Sequence, residues 1–176
     1  IGGASKLGIL IKGSNYLEAL AKTEVVVFDK TGTLTKGVFA VKNIENFNNF
    51  TKDQILKYAA YSENYSNHPI ALSIKKEYGE EIVKEKIEKV EEIAGHGILS
   101  IVDGKTILVG NDKLLNENNV EYTKTDEIGT IVYVAVDNVY AGFIVVSDVI
   151  KEDSKIAIEN LKKLNISKTV MLTGDK

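Results

Sequence analysis

Four consecutive apolar residues, Val25 to Phe28, run directly into Asp29, and no other stretch narrows the fold as far. A continuous β-branched run of this length suits a central strand buried on both faces. It delivers a carboxylate at its C-terminal end, where open α/β sheets place their ligands. Lys30, Thr31, Gly32 and Thr33 follow and suit a tight loop. Near the other end, Lys168 to Leu172 (KTVML) forms a second apolar run that ends in Thr173-Gly174-Asp175. The helical pattern before it carries Ile156, Ala157, Ile158, Leu161 and Leu164, with a start near Asp153. Strand, helix and strand with a large insertion between them predict two discontinuous halves of one α/β domain. An Asp at a strand end can cap a turn, or it can serve as a nucleophile toward phosphorus.

The insertion reads as helices followed by short strands. In the N-terminal segment, Leu7, Leu10, Ile11, Leu17 and Leu20 fit a helical face interrupted at Gly13. VFAVKNI (38–44) alternates as a strand, and Asn43 to Asn49 is a polar connection anchored by Phe47 and Phe50. Thr51 with Gln54 is a capping-box signature for a helix through Tyr61. Pro69 suits the first turn of a second helix to about Tyr78. The charged stretch Glu80 to Lys89 reads as a solvated helix. Strands follow at 90–93, 98–102 and 105–110, with Asp103-Gly104 as a hairpin turn. Asn111 to Asn118 reads as a short helix, and 130–136 and 139–146 as strands joined at Asp137-Asn138. This is an antiparallel sheet with helices packed on it.

Composition removes several chemistries. The chain of 176 residues has no Cys, so disulfides, thiolate metal sites and a Cys nucleophile are excluded within it. All 22 cationic residues are Lys, so phosphate contacts fall to Lys, backbone N–H groups and hydroxyls. A net charge of −3 gives no support for nucleic acid as a partner. No apolar run reaches the roughly 18 residues of a membrane span, and the chain alone is expected to be soluble. It starts without Met, and both ends read as cut from something longer.

DKTGTLT (29–35) resembles the phosphorylation motif of P-type ATPases, a branch of the haloacid-dehalogenase-like phosphotransferases. Several further stretches extend the resemblance to the heavy-metal-transporting branch. They are SNHPIALSI around His68, with Asn67 where that branch usually has Glu; Gly95-His96-Gly97; LVGN ending in Asn111; and Asp148-Val-Ile-Lys151. The flanks IKGSNYLEALAK and SKTVMLTGD resemble the zinc/cadmium branch more than the copper branch.

The resemblance implies an incomplete haloacid-dehalogenase-like, Rossmannoid α/β phosphorylation domain with an inserted α+β nucleotide-binding domain. Residues 1–36 and 147–176 would form the first and 37–146 the second. It implies ATP and Mg²⁺ as cofactors. Asp29 would accept the γ-phosphoryl group, in a catalytic set with Lys30, Thr31, Thr173, Gly174 and Asp175. The Asp29 loop and the Thr31 carbonyl would lie near Mg²⁺. Glu63 and His68 would contact adenine. Gly95 and Gly97 would let the nucleotide approach the backbone, and Asn111 would hold ribose or phosphate oxygens. Asp148 and Lys151 would couple the domains at a hinge.

The implied function is ATP-driven export of a heavy-metal cation (Zn, Cd, Co, Pb or Cu) through an aspartyl phosphate. The site would lie on the cytoplasmic face of a membrane, within an integral membrane protein. Its partners would be transmembrane helices that carry the metal and an actuator domain of the same protein. Family elements expected beyond Lys176 make this chain alone a nucleotide binder with little turnover. Two alternatives remain, a soluble haloacid-dehalogenase-like phosphatase and a non-catalytic nucleotide-binding module. The phosphatases normally carry a second Asp two residues after the first, as a general acid/base. Thr31 stands there instead and favours a long-lived phospho-aspartate.

Overall fold

A computed structural model describes residues 2–172. The chain divides into two compact units. One carries the chain up to Gly37 and again from Ile150; the other is Val38–Val149.

In the first unit, α1 (Gly2–Lys6) and α2 (Ser14–Ala21) precede β1 (Val25–Asp29), and α6 (Ser154–Lys163) leads into β8 (Lys168–Leu172). β1 and β8 pair in parallel, with Val25 opposite Lys168 and Asp29 opposite Leu172. This is the strand–helix–strand return expected from the sequence. Burial on both faces is not observed: Val25 and Val27 are 47% and 54% exposed, and β8 is no better covered. The β-branched run is enough to form the strand. Among the described residues, however, its sheet has two strands and too little else to cover both faces. The N-terminal pattern also differs. Gly8 adopts φ 74° and ends α1, so Leu7, Leu10 and Ile11 lie outside any helix.

The second unit is built on a six-stranded sheet ordered β2-β7-β6-β5-β4-β3. The strands are β2 (Thr35–Asn46), β3 (Ile87–Ile93), β4 (Gly97–Val102), β5 (Lys105–Gly110), β6 (Thr130–Val136) and β7 (Val139–Ile150). The consecutive pairs from β3 to β7 are antiparallel. Asp103-Gly104 (φ 50° and 72°) and Asp137-Asn138 (φ 50° and 63°) turn two of the hairpins with both residues left-handed, as type I′ requires. Helix α3 (Lys52–Ser62) opens with the complete Thr51–Gln54 capping box, and α4 (Pro69–Tyr78) has Pro in its first turn. α5 (Asp112–Glu117) begins at the Asn111 cap.

Each sheet face has its own core. Ile55, Ala59 and Ile74 from α3 and α4 pack on Val109, Val134 and Ile144. On the opposite face Leu114, Leu115 and Val120 pack on Tyr133, Tyr140 and Phe143. Burial of this kind is worth about 25 cal/mol per Å² of apolar surface and dominates the unit's stability. Phe47 and Phe50 anchor the Asn-rich connection, one against each core.

The charged stretch Glu80–Lys89 is not a helix. After Gly79 in the left-handed region it runs irregularly to one 3₁₀ turn, Lys84–Lys86, and enters β3 at Ile87. Ile82 and Ile87 pack against the α3/α4 core, which fixes the segment by two anchors rather than a continuous face. The return expected from Asp148 starts later, because β7 runs on to Ile150.

Candidate functional site

Asp29 is exposed at the C-terminal end of β1, and a five-residue turn, Lys30–Leu34, follows it. Gly32 holds φ 78°, ψ −14°, which reverses the chain here at no Cβ cost. The turn is held by its own carbonyls. Thr35 donates its hydroxyl to Lys30 O (3.0 Å) and accepts Gly32 N–H (3.2 Å). Lys151 Nζ donates to Gly32 O at 2.8 Å. Leu34 O accepts both Lys151 N–H (3.0 Å) and the buried Ser154 hydroxyl (2.7 Å). The return segment thus grips the turn after Asp29, and an ammonium group sits beside it.

Helix α6 has Asp153 at its N-cap position, as the sequence pattern suggests, but the Asp153 side chain makes no capping bond. The neighbouring Ser154 spends its hydroxyl on Leu34 instead. Neither this contact nor the Lys151–Gly32 bond leaves a local sequence signal, since each spans well over a hundred residues. Thr173, Gly174 and Asp175 lie outside the described residues.

The second constellation lies in the other unit. His68 caps α4, where its Nδ1 accepts Ile70 N–H at 3.3 Å. In the neutral ring this leaves the proton on Nε2, free to donate outward from an exposed side chain. Glu63 stands at the end of α3, and burial pushes its carboxyl above the usual range. Ser66, His68 and Lys75 oppose that shift, and the Glu92 carboxylate adds to it. Lys75 spans the loop between the two helices by donating to Asn64 O (3.2 Å) and Ser66 O (2.7 Å). It lies two helical turns after His68, a spacing that puts both near one face of α4.

Glu92, whose charge repels that of Glu63, stands on β3, and the turn at Gly95-His96-Gly97 joins this strand to β4. The two glycines serve different ends. Gly97 is paired with Gly110, and a Cβ on it would stand 2.2 Å from Val109 O, so strand packing alone demands glycine. Gly95 holds φ 73° with nothing within 4 Å of its missing Cβ, so its face is open. Asn111 joins this turn to α5. Its Nδ2 donates to Gly95 O (2.8 Å), and its Oδ1 accepts Lys113 N–H (3.1 Å) and Leu114 N–H (3.3 Å). The Asn111 carboxamide is therefore bonded to the fold through both its oxygen and its nitrogen, and it holds Gly95 in place.

Glu63, His68, Gly95, Gly97 and Asn111 thus all lie on one unit, in two groups: a half-buried carboxyl near an imidazole, and a glycine turn bonded to Asn111. Asp29, Lys30 and Thr31 form the second grouping, on the other unit. Among the described residues no three His, Cys, Asp or Glu side chains gather as a metal cage. No described helix is long and apolar enough to cross a membrane.

The family model for haloacid dehalogenase-like hydrolases matches residues 23–176. The chain is 54% identical over 175 residues to the "Cadmium, zinc and cobalt-transporting ATPase" of Bacillus subtilis (strain 168), covering 99% of this chain and 25% of that protein. It is 49% identical over 175 residues to the "Zinc-transporting ATPase" of Synechocystis sp., covering 99% of this chain and 24% of that protein. The chain therefore spans about a quarter of the length of these relatives. Its fold matches the crystal structure of a zinc-transporting PIB-type ATPase in the E2.Pi state with a TM-score of 0.77 at 32% identity, over 98% of this chain and 29% of that one.

Proposed function

The chain belongs to the haloacid dehalogenase-like hydrolase family and matches the catalytic portion of its heavy-metal-transporting P-type ATPases; on that footing we propose that it binds ATP and accepts the γ-phosphoryl group on Asp29. The observation that carries this reading is the placement of Asp29. It stands exposed at the end of a strand parallel to β8, and its following turn is gripped by Lys151 and Ser154. A carboxylate oxygen of Asp29 attacks phosphorus, the bond to the β-phosphate oxygen breaks, and ADP leaves with that electron pair. An ionised carboxylate needs no base for this step. Lys151 adds a positive charge beside the loop in a chain without arginine.

The residues present fit Mg²⁺. The Asp29 carboxylate and the Thr31 carbonyl are hard oxygen donors, and this ion takes one or two carboxylates plus phosphate oxygens and water rather than a full protein cage. The carbonyls gripped within the turn are those of Lys30, Gly32 and Leu34, and Thr31 is not among them. When bound, the ion neutralises charge on the phosphoryl oxygens. Residues 38–149 serve as the nucleotide-binding domain and the flanking segments as the phosphorylation domain. Glu63 and the outward Nε2 of His68 read the adenine, and the open face of Gly95 admits the nucleotide to the backbone. Thr31, in place of an acid/base Asp, keeps the phospho-aspartate long-lived.

The names of the most similar relatives favour zinc, cadmium or cobalt as the exported ion over copper. The chain would then work on the cytoplasmic face of a membrane, joined to transmembrane helices and an actuator domain.

Calorimetric titration with MgATP tests the nucleotide site. The wild-type chain is expected to bind, and His68→Gln to bind at least about fivefold more weakly, the value of one lost hydrogen bond. No binding by the wild type refutes the nucleotide reading, and unchanged affinity in the variant removes His68 from the site.

A further inference from the structure

The turn between β3 and β4 is fastened to α5 at both ends of that helix. At the start of α5, Asn111 N–H donates to His96 O (2.9 Å) and the Asn111 side chain to Gly95 O (2.8 Å). At its end, Glu117 Oε1 meets His96 Nε2 at 3.1 Å. The other ring nitrogen, Nδ1, lies 2.8 Å from Ala94 O. The backbone N–H of His96 is held by Ile93 O at 2.9 Å. Ala94 O and the Glu117 carboxylate are both acceptors, so the neutral ring donates to one of them and the imidazolium to both; the His96 side chain is only 26% exposed while Glu117 is 57% exposed. Its carbonyl lies so close to Gly110 that a Cβ there would stand 2.2 Å away. Every one of these contacts lies on the α5 or strand side of the turn. The face at Gly95 stays bare.

We propose that His96 is a positioning residue for the nucleotide: bridging Ala94 O and the Glu117 carboxylate, it holds the turn closed against α5, so the open Gly95 face stands ready before ATP arrives. The inference rests on the nucleotide reading of this patch. An isolated surface ion pair contributes about 0–1 kcal/mol. This one is oriented by a second bond to the ring, and what it fixes is a turn whose glycine at Gly95 has wide freedom when released. Fixing such a turn in advance lowers the ordering cost of binding. Its mark is kinetic: if fewer molecules hold the turn ready, association slows and the complex, once formed, departs at the same rate.

The test uses the whole chain with a non-hydrolysable ATP analogue and Mg²⁺, by calorimetry and stopped-flow. His96→Ala and Glu117→Gln are each expected to weaken binding about three- to tenfold, the range of one such lost contact. The double variant should bind no more weakly than His96→Ala, because both changes break one bridge. His96→Gln, whose amide still donates to Glu117, should recover at least half of the loss. The loss should sit in the association rate, with the thermal midpoint within a few degrees of wild type. If His96→Ala fails to fold, the exposed Glu117→Gln carries the test. Wild-type affinity in Glu117→Gln, or losses that add in the double variant, overturn the inference. So does a loss confined to the dissociation rate, which would make His96 a ligand contact. A wild-type chain that binds no nucleotide overturns the site reading itself, a result distinct from all of these.

Discussion

Glu63 shows the cost of a site at the level of one residue. Burial raises its carboxyl above the ordinary value of 4.5, against the pull of Ser66, His68 and Lys75. The fold therefore prefers the protonated form. That preference contributes stability in full below the unfolded value and loses it as pH rises through the raised folded value. Glu63→Gln should accordingly unfold at a higher temperature than wild type at neutral pH. Its margin should grow from about pH 4 through the weakly acidic range and then level off. Thermal midpoints of both proteins across that range decide it, and a constant margin contradicts the burial argument. A second residue makes the opposite case. The Tyr140 hydroxyl is 4% exposed as a residue and has no hydrogen-bond partner among the described residues. Burial raises its pKa as well. Tyr140→Phe should stabilise the chain by about 1 kcal/mol in denaturant titration, the usual cost of an unmet hydroxyl.

At the level of elements, what could be read in advance depended on range. Helix α3 was legible because its capping box lies within four residues, and α4 because Pro fixes its own φ. The hairpins at Asp103-Gly104 and Asp137-Asn138 were legible for the same local reason. The stretch Glu80–Lys89 was misread because its charges suggested a helical face, whereas Ile82 and Ile87 decide its path by reaching the α3/α4 core. β1 was read as doubly buried from composition, yet burial depends on neighbours that its own residues do not specify. At the candidate site, the family resemblance pointed to Glu63, His68, Gly95, Gly97 and Asn111 but not to the local packing of each. Only the packing separates Gly97, required by the strand beside it, from Gly95, which faces open space. The grip of Lys151 and Ser154 on the turn after Asp29 closes over more than a hundred residues and had no local signature.

For the whole molecule, the unequal cores of the two units make a prediction. Val38–Val149 owns both hydrophobic clusters, apart from nothing that the flanking segments supply. Expressed alone, this unit should unfold in one cooperative transition within about 5 °C of its midpoint in the full chain, since a unit with its own core can fold independently. It should also keep the ATP affinity of the full chain to within about threefold, since all five proposed nucleotide residues lie inside it. A broad, non-cooperative melt by circular dichroism contradicts the division.

The two strands that enter and leave this unit, β2 and β7, are direct neighbours in the sheet. Adjacent strands run about 4.8 Å apart. The module's two ends therefore emerge side by side, like the two pins of a plug. A short glycine linker could join them, and new termini could then open at the Asp103-Gly104 or Asp137-Asn138 turn. The same geometry lets a host chain accept or lose such a module without moving the strand ends on either side of the insertion, so a unit of this kind is portable between hosts.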